Sequence, residues 1–326
     1  MKTKVLRMLK EADGYLSGQE LCGRLHVSRT AVWKVVKQLE EEGYEIEAVR
    51  NRGYCLKRAA DILSRAELES GMQTEWAGRN VLYFDETDST NTEAKRAAEA
   101  GAPHGTLAVA DYQTMGKGRR GRNWTSPRGV GIWMSILIRP ALHPSCASML
   151  TLVAALAVAD GIKRICGLDS RIKWPNDVVI NGKKVCGILT EMSTELECIN
   201  YVVTGIGINA NIESFPEEIR DVAASLYLET GKRVKRSRLI GAVMEAYEGY
   251  YSRFMERGDM SGLLDAYNGL LANRDNAVRV LDPEDEYTGT ALGIDPMGRL
   301  LVRTDDGFIR SVLSGEVSVR GIYGYV

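Results

Sequence analysis

The chain has 326 residues, of which 44% are hydrophobic and 26% are charged, and its formal net charge is −1 at pH 7. These values are ordinary for a soluble globular protein, and no stretch approaches the length and apolarity of a membrane span. A chain of this length exceeds one usual core, so two or three domains are expected. The six cysteines and three histidines are scattered without metal-ligand spacing, which predicts a cytoplasmic protein with reduced thiols.

The first sixty residues are basic, with twelve Lys and Arg against eight Asp and Glu, a balance of +4. Amphipathic patterns predict short helices from Thr3 to Ala12 and from Ser17 to Leu25. Ser28 is a suitable N-cap for a longer helix, Arg29 to Glu42, and residues 44–56 are predicted to form a hairpin. This order of elements is typical of a winged helix-turn-helix.

Cations on the outer face of the long helix and at the hairpin tip predict DNA binding, with the helix in the major groove and the arginines near phosphates. A single module reads few bases, so a homodimer on a two-fold operator is expected. The alternative is a small protein–protein module with a solvated face. The candidate DNA-binding residues are Ser28, Arg29, Thr30, Trp33, Lys34, Lys37, Arg50 and Arg52.

The predicted domains are a winged helix over residues 1–60, a polar linker over 61–79 with a helix from Ser64, a central domain over 80–272 and a β-barrel over 273–326. The central domain begins with a strand at Val81–Phe84. Asp88 to Asn91 then opens an alanine-rich helix that ends at Gly101.

Two interpretations of that helix start remain open. Thr90 with Glu93 fits a capping box, a purely structural role. Alternatively, Ser89, Thr90 and Asn91 offer short hydrogen-bonding groups to a small polar ligand at the helix N-terminus.

The segment Gly116–Trp124 holds four cations and three glycines in its first seven residues. Glycine lets backbone amides approach a ligand, and arginine offers forked donors to phosphate or carboxylate oxygens. Predicted strands at Leu107–Tyr112 and Ile132–Ile138 flank the segment, and the first of them leads into Gln113. The pattern suits a cover over an anionic nucleotide, although an ordinary basic surface loop has the same composition.

Farther on, Ala147 to Ile165 is apolar nearly all round and predicts a buried helix. The motif Lys173–Asp177 mixes a cation, an aromatic ring and polar side chains, and Asn181-Gly182 predicts a hairpin that places Lys184 just beyond its turn. Gly205 to Asn209 contains a weak G-x-G signal, which close packing against a flat ligand explains equally well.

The last third of the chain is predicted to hold two helices followed by strands. The helices run from Pro216 to Tyr227 and from Arg236 to Phe254. After Asn273 the pattern becomes all β, and a small barrel is expected. The predicted turns are at 282–283, 295–298 and 305–307.

Taken together, these motifs resemble the bifunctional biotin–[acetyl-CoA-carboxylase] ligase/biotin operon repressor family over the whole chain. The motifs that carry the resemblance are Asp88–Asn91, Gln113, Gly116–Trp124, Lys173–Asp177, Lys184–Glu191 and Gly205–Asn211. The resemblance implies an α/β multidomain fold with a winged helix-turn-helix, a class II synthetase-like α+β ligase domain and a small SH3-like β-barrel. It also implies that biotin is activated with ATP and Mg²⁺ to biotinyl-5′-AMP and passed to a lysine of a biotin carboxyl carrier protein.

The resemblance further assigns roles to single residues. Lys184 and Arg119 are implied to be catalytic, and Asp177 to be a metal-side carboxylate. The implied biotin-binding residues are Ser89, Thr90, Asn91, Gln113, Gly116, Lys117, Gly118, Arg119 and Lys184. The implied nucleotide-binding residues are Arg119, Arg122, Trp124, Lys173, Asn176 and Asn209. The chain departs from many relatives at Lys117, where a lysine keeps the charge and loses the bidentate fork of arginine.

The resemblance also implies regulation. Biotinyl-5′-AMP would act as corepressor by ordering the Gly116–Trp124 loop and favouring a homodimer that binds operator DNA. No membrane partner is expected. Two further alternatives are a lipoate ligase relative and a biotin sensor without ligase activity, and retention of Lys184 and Arg119 argues against the sensor.

Overall fold

In this computed structural model, which describes residues 1–58, 61–195, 198–281, 285–314, 318–321 and 325, the chain forms three β-sheets with helices packed around them. The N-terminal part is the predicted winged helix. Its elements are α1 (Lys2–Glu11), α2 (Gly18–Leu25), α3 (Arg29–Glu41), β1 (Glu45–Val49) and β2 (Gly53–Arg58). Ser17 and Ser28 cap α2 and α3 by accepting from the amides of Glu20 at 3.0 Å and Ala31 at 3.2 Å.

The segment after the wing packs between the winged helix and the rest of the chain. The helix predicted from Ser64 is α4 (Arg65–Gly71), which Ser64 caps, and Glu67 on this helix is only 1% exposed. Its carboxylate lies 2.7 Å from Lys10 Nζ on α1 and accepts from Ser237 at 3.0 Å. Burial opposes ionisation of Glu67, but the hydrogen bond and charge of Lys10 outweigh it and lower the pKa of that carboxyl. The segment therefore connects the two parts by a buried ionic contact.

A mixed seven-stranded sheet forms the centre of the molecule, in the strand order β3-β4-β5-β9-β8-β7-β6. The first pair, β3 with β4, is parallel, and the other pairs are antiparallel. The strands are β3 (Val81–Phe84), β4 (Thr106–Ala110), β5 (Ile132–Ile138), β6 (Arg171–Lys173), β7 (Asp177–Ile180), β8 (Lys183–Glu195) and β9 (Cys198–Ile208). The turn between β7 and β8 places Asn181 and Gly182 at positive φ (50° and 76°), which confirms the predicted hairpin.

Helices cover this sheet and complete the core. They are α5 (Thr90–Glu99), α6 (Met149–Cys166), α7 (Leu226–Thr230), α8 (Arg236–Met255) and α9 (Leu264–Leu270). The prediction that no stretch resembles a membrane span was wrong, because residues 144–166 are long and apolar enough to cross a membrane. That segment contains α6, and 72% of its apolar window is buried inside the protein, as befits a core helix.

The helix predicted from Pro216 to Tyr227 is wrong. This stretch runs as turns, and the helix α7 begins only after Ser225. The reason is backbone pairing, since Lys184 N–H donates to Val222 O at 2.8 Å and Ala224 N–H donates to Lys184 O at 2.9 Å. We call residues 212–223 the strap.

The C-terminal part is a five-stranded antiparallel sheet in the order β13-β12-β11-β10-β14. Its strands are β10 (Ala277–Leu281), β11 (Tyr287–Ile294), β12 (Leu300–Arg303), β13 (Ile309–Val312) and β14 (Ser318–Gly321). The all-β prediction is confirmed, and the SH3-like form of the barrel stays a prediction. The predicted turn at 282–283 and residues 315–317 lie outside the described residues.

Candidate active site and nucleic-acid interface

Four buried polar side chains surround a cavity of about 50 Å³ at the N-terminus of α5, which we call the polar pocket. Ser89, Thr90 and Asn91 come from the helix start, and Gln113 comes from the segment after β4. Gln113 Oε1 accepts from the backbone N–H of Thr90 at 2.8 Å, and Gln113 Nε2 donates to Ser126 Oγ at 2.7 Å. The structure thus brings the four predicted residues together.

The alternative capping-box role for Thr90 is wrong. The helix begins at Thr90, and the N-cap position is Ser89, whose side chain makes no capping bond. Thr90 Oγ1 lies 3.1 Å from Gln113 Oε1, within the polar pocket. Glu93 instead accepts a hydrogen bond from Thr87 at 2.8 Å. The hydroxyl of Thr90 is therefore directed to the pocket and not to the helix end.

Two residues of this network had no predicted role. Ser135 Oγ lies 2.7 Å from Thr90 Oγ1 and 2.6 Å from Asn91 Oδ1, and Glu191 accepts from Asn91 Nδ2 at 2.7 Å. Burial opposes ionisation of Glu191, but hydrogen bonds from Lys95 and Asn91 lower the pKa of this carboxyl. The sequence signal that could have indicated this network is Ser135 itself, because it places a fully buried hydroxyl in the otherwise apolar strand β5.

Three glycines on β8 and β9 form the floor of the pocket. A Cβ at Gly205 would lie 2.1 Å from Asn91 Oδ1, and one at Gly207 would lie 2.6 Å from Trp124 Nε1. Gly187 pairs with Gly207 across the two strands, and a Cβ there would lie 2.9 Å from the Trp124 ring. The G-x-G pattern is therefore explained by close packing, against the Asn91 side chain at Gly205 and against the indole of Trp124 at Gly207.

The Gly116–Trp124 loop folds as a small hairpin over this floor. Trp124 N–H donates to Gly116 O at 2.8 Å, and Gly118 N–H donates to Arg122 O at 2.7 Å. Arg120 lies at the tip with φ of 57°, and Arg120 and Arg122 are exposed. Lys117, Gly118 and Arg119 line the polar pocket. Trp124 Nε1 is buried and has no hydrogen-bond partner among the described residues.

Lys184 lies at the junction between the polar pocket and a second, larger cavity, and lines both. Its Nζ lies 2.5 Å from Asp177 Oδ1 and 5.1 Å from the ring centroid of Trp124. The pairing of β7 with β8 shifts register next to Lys184, between Val178 and Val179, and such irregularities redirect side chains. Together with the strap, which holds both backbone groups of Lys184, this irregularity fixes the position of the lysine.

Arg119 lies at the same junction and connects three parts of the chain. Its guanidinium donates to Asn176 Oδ1 at 2.9 Å and to the carbonyl of Ser314, beyond β13. Asn176 is itself held by β8, since Asn176 Nδ2 donates to Ile188 O at 3.2 Å. Two cations and an amide therefore line both cavities, which suits a site where two anions must meet.

The second cavity, which we call the large cavity, has a volume of about 420 Å³. Its walls are the Gly118–Pro127 segment, the Lys173–Asp177 motif, the strap and Tyr325. Arg122, Lys173 and Asn209 line it, as the nucleotide assignment requires, and Asn209 Nδ2 donates to Ala224 O at 3.0 Å. The strap and Tyr325 had no predicted part in this site.

The described lining of the two cavities offers few side-chain ligands to a metal ion. Among the described residues, no group of three or more His, Cys, Asp or Glu side chains is placed to hold a metal. Asp177 is the one acidic residue among the described lining of the two cavities. Mg²⁺ commonly takes one or two carboxylates together with substrate phosphates and waters.

The predicted DNA-binding residues lie on α3 with its N-cap Ser28 and in the turn between β1 and β2. All eight are exposed, and Trp33 is 51% exposed on α3. The guanidinium of Arg52 lies 4.6 Å from the ring centroid of Tyr15, which restricts the arginine at the wing tip. Arg29 donates to Gln19 at 2.9 Å. The basic face of α3 and the arginines of the wing turn are therefore exposed to solvent.

Three family sequence profiles match the chain. The profile of the Biotin/lipoate A/B protein ligase family matches residues 83–209, an HTH domain profile matches residues 2–55, and the Biotin protein ligase C terminal domain profile matches residues 276–320.

Individual relatives match over nearly the whole length. The chain is 41% identical to the bifunctional ligase/repressor BirA of Bacillus subtilis and to that of Bacillus spizizenii, with 98% of both chains covered in each case. Among solved structures, the biotin protein ligase from Aquifex aeolicus in complex with biotin and ATP is 34% identical, with a TM-score of 0.66. That match covers 74% of this chain and 99% of the Aquifex chain.

Proposed function

The chain belongs to the bifunctional biotin–protein ligase/repressor family, and we propose that its two adjoining cavities carry out the ligase half of that function. The chain is an ATP-dependent, AMP-forming biotin ligase that also carries the DNA-binding domain of a repressor. The observation that supports the assignment of the cavities is the position of Lys184, which lines both of them.

In the first step, biotin lies in the polar pocket and ATP lies in the large cavity. Ser89, Thr90, Asn91 and Gln113 supply the donors and acceptors that a neutral ureido ring requires. The biotin carboxylate attacks the α-phosphorus of ATP, and pyrophosphate leaves. Both reactants are anions, so Lys184 and Arg119 reduce their repulsion and stabilise the charge that develops.

The nucleotide-side residues orient ATP. Lys173 and Arg122 bind phosphate oxygens, Trp124 packs on the adenine, and Asn176 and Asn209 hold polar edges of the nucleotide. Asp177 is the carboxylate that would lie near a magnesium ion carried by the triphosphate, and such an ion would neutralise part of the phosphate charge.

In the second step, the amine of one lysine on a biotin carboxyl carrier protein attacks the carbonyl carbon of biotinyl-5′-AMP. AMP leaves, an amide bond forms and the amine loses a proton. No side-chain nucleophile is required, because the intermediate stays bound until the acceptor arrives. The Gly116–Trp124 loop covers the adenylate and excludes water.

The assay for the ligase half is biotin-dependent exchange of labelled pyrophosphate into ATP. We expect exchange in the wild-type protein and a loss of about 100-fold or more in Lys184→Ala, since removal of a preorganised charge costs at least this much in comparable sites. Lys232→Ala is the matched control, because Lys232 is exposed and lies outside the described lining of both cavities. Tight biotin binding without exchange in the wild type would mean a sensor that lacks the chemistry. Exchange with lipoate and not with biotin would mean a lipoate ligase.

For the repressor half, we propose that biotinyl-5′-AMP orders the Gly116–Trp124 loop and favours a homodimer, which presents two α3 helices to an operator. Six free cysteines and a DNA partner fit the cytoplasm as its location. Sedimentation that gives one mass with and without biotinyl-5′-AMP contradicts the dimer proposal.

DNA binding by the basic surface is tested by salt titration with a fluorescent duplex of mixed sequence. We expect log affinity to fall linearly with log salt, and Arg52→Ala to reduce that slope by about 1. Arg238→Ala, an exposed arginine on α8, is expected to leave the slope unchanged. Salt-independent binding would favour the protein–protein role of this module.

A further inference from the structure

Tyr325 lies at the point where the C-terminal part of the chain meets the catalytic centre. It lines the large cavity, and its hydroxyl donates to Asp177 Oδ2. The other oxygen of the same carboxylate, Oδ1, lies 2.5 Å from Lys184 Nζ. A single carboxylate therefore connects the tyrosine to the lysine that lines both cavities.

The ring of Tyr325 makes a second contact in the same place. Lys173 Nζ lies 3.6 Å from the ring centroid, close enough for a cation–π interaction. Lys173 is 6% exposed and Asp177 is 8% exposed, so both contacts lie largely out of water. Electrostatic interactions are stronger in such surroundings. The hydroxyl of Tyr325 thus contacts the carboxylate that lies beside Lys184, and its ring contacts Lys173 directly.

We propose that Tyr325 is a positioning residue for adenylate formation, an inference that rests on the ligase function proposed above. Its hydroxyl fixes the rotamer of Asp177, and Asp177 in turn holds Lys184 toward the α-phosphate. Its ring keeps Lys173 directed along the wall of the large cavity, where the triphosphate binds. The C-terminal sheet region therefore supplies a working part of the nucleotide site.

The two contacts separate in steady-state kinetics of pyrophosphate exchange. Tyr325→Phe keeps the ring and removes the hydroxyl, so we expect kcat to fall about 10-fold with an unchanged KM for ATP, as for loss of a hydrogen bond to a charged group. Tyr325→Leu removes the ring as well, and we expect the KM for ATP to rise about 3- to 10-fold in this variant. The KM for biotin stays constant in both, because Tyr325 is absent from the described lining of the polar pocket.

The matched control is Tyr201→Phe, which removes a hydroxyl that donates to Glu99 at 3.4 Å. Tyr201 lies near the start of β9, outside the described lining of both cavities. We expect wild-type kinetics for it. A double-mutant cycle tests whether the hydroxyl of Tyr325 acts through Asp177. If it does, Tyr325→Phe should lower kcat by less than about 2-fold in an Asp177→Asn background.

The outcomes separate this inference from the ligase assignment. An inactive wild type contradicts the ligase function. An active wild type together with a normal Tyr325→Phe, or equal losses of kcat in both Asp177 backgrounds, contradicts the role of Tyr325 alone. Parallel changes in the KM for biotin and for ATP would indicate a general structural effect, which also overturns the proposal.

Discussion

The polar pocket and the large cavity have Lys184, Arg119 and Trp124 among their shared lining residues but are built in different ways. The polar pocket, of about 50 Å³, lies on the paired strands β8 and β9, and buried hydrogen bonds fix its side chains. The large cavity, of about 420 Å³, is enclosed by segments far apart in the chain, among them the strap and Tyr325.

This difference assigns separate tasks to the two halves of the site. A pocket whose polar side chains are held in place by buried hydrogen bonds discriminates sharply between ligands, because the donors and acceptors that face the ligand are fixed and a wrong ligand leaves them unpaired. A cavity enclosed by loops adapts to a larger ligand and releases it. We therefore expect substitutions in the polar pocket to be costly and substitutions in the strap to be tolerated.

The largest expected effect in this comparison comes from the floor of the polar pocket. Gly205→Ala places a Cβ 2.1 Å from Asn91 Oδ1, and Asn91 has little freedom to move, since Ser135 and Glu191 both hold it. We expect biotin affinity, measured by titration calorimetry, to fall about 10- to 100-fold, the usual range for overpacking. ATP binding should change by less than about 2-fold.

Gly249→Ala serves as the control for that substitution. Gly249 lies within α8, and a Cβ there has no heavy atom within 4 Å. This variant is expected to be at least as stable as the wild type, because alanine favours a helix interior by about 1 kcal/mol over glycine. Unchanged biotin affinity in Gly205→Ala would mean that the pocket floor is deformable, and the contrast between the two cavities would fail.

The motifs predicted the polar pocket better than the large cavity, for a physical reason. Ser89, Thr90 and Asn91 are consecutive at a helix start, so a local pattern is enough to find them. Ser135 reaches Thr90 and Asn91 only through the pairing of β5 with β9, which no local pattern specifies.

The strap and Tyr325 depend still more on tertiary structure. The spacing of Pro216 to Tyr227 favours a helix, and the contacts with the backbone of Lys184 override that preference. Tyr325 reaches Asp177 across 148 residues of sequence. The fold was easier to predict, because caps at Ser17, Ser28 and Ser64 and the Asn181-Gly182 turn are local signals.

An intermediate effect is expected from the hydrogen-bond network of the polar pocket. Ser135→Ala removes the hydroxyl that lies between Thr90 and Asn91, so we expect biotin affinity to fall about 5- to 10-fold, for a hydrogen bond of about 1–1.5 kcal/mol. The measurement is calorimetric titration with biotin. Ser170→Ala is the matched control, because Ser170 is also buried but its hydroxyl has no hydrogen-bond partner among the described residues. Equal losses in the two variants would remove the specific role of Ser135.

The smallest expected effect lies in the strap. Ile219 lines the large cavity and is 41% exposed, so Ile219→Ala removes apolar surface that a bound nucleotide would cover. We expect the KM for ATP in pyrophosphate exchange to rise only about 2- to 5-fold, for roughly 0.5–1 kcal/mol of lost burial, with no change in the KM for biotin. Leu228→Ala, 47% exposed and outside the described lining of the cavity, should leave both constants unchanged. A loss in Ile219→Ala as large as that in Gly205→Ala would mean that the strap is as rigid a part of the site as the glycine floor.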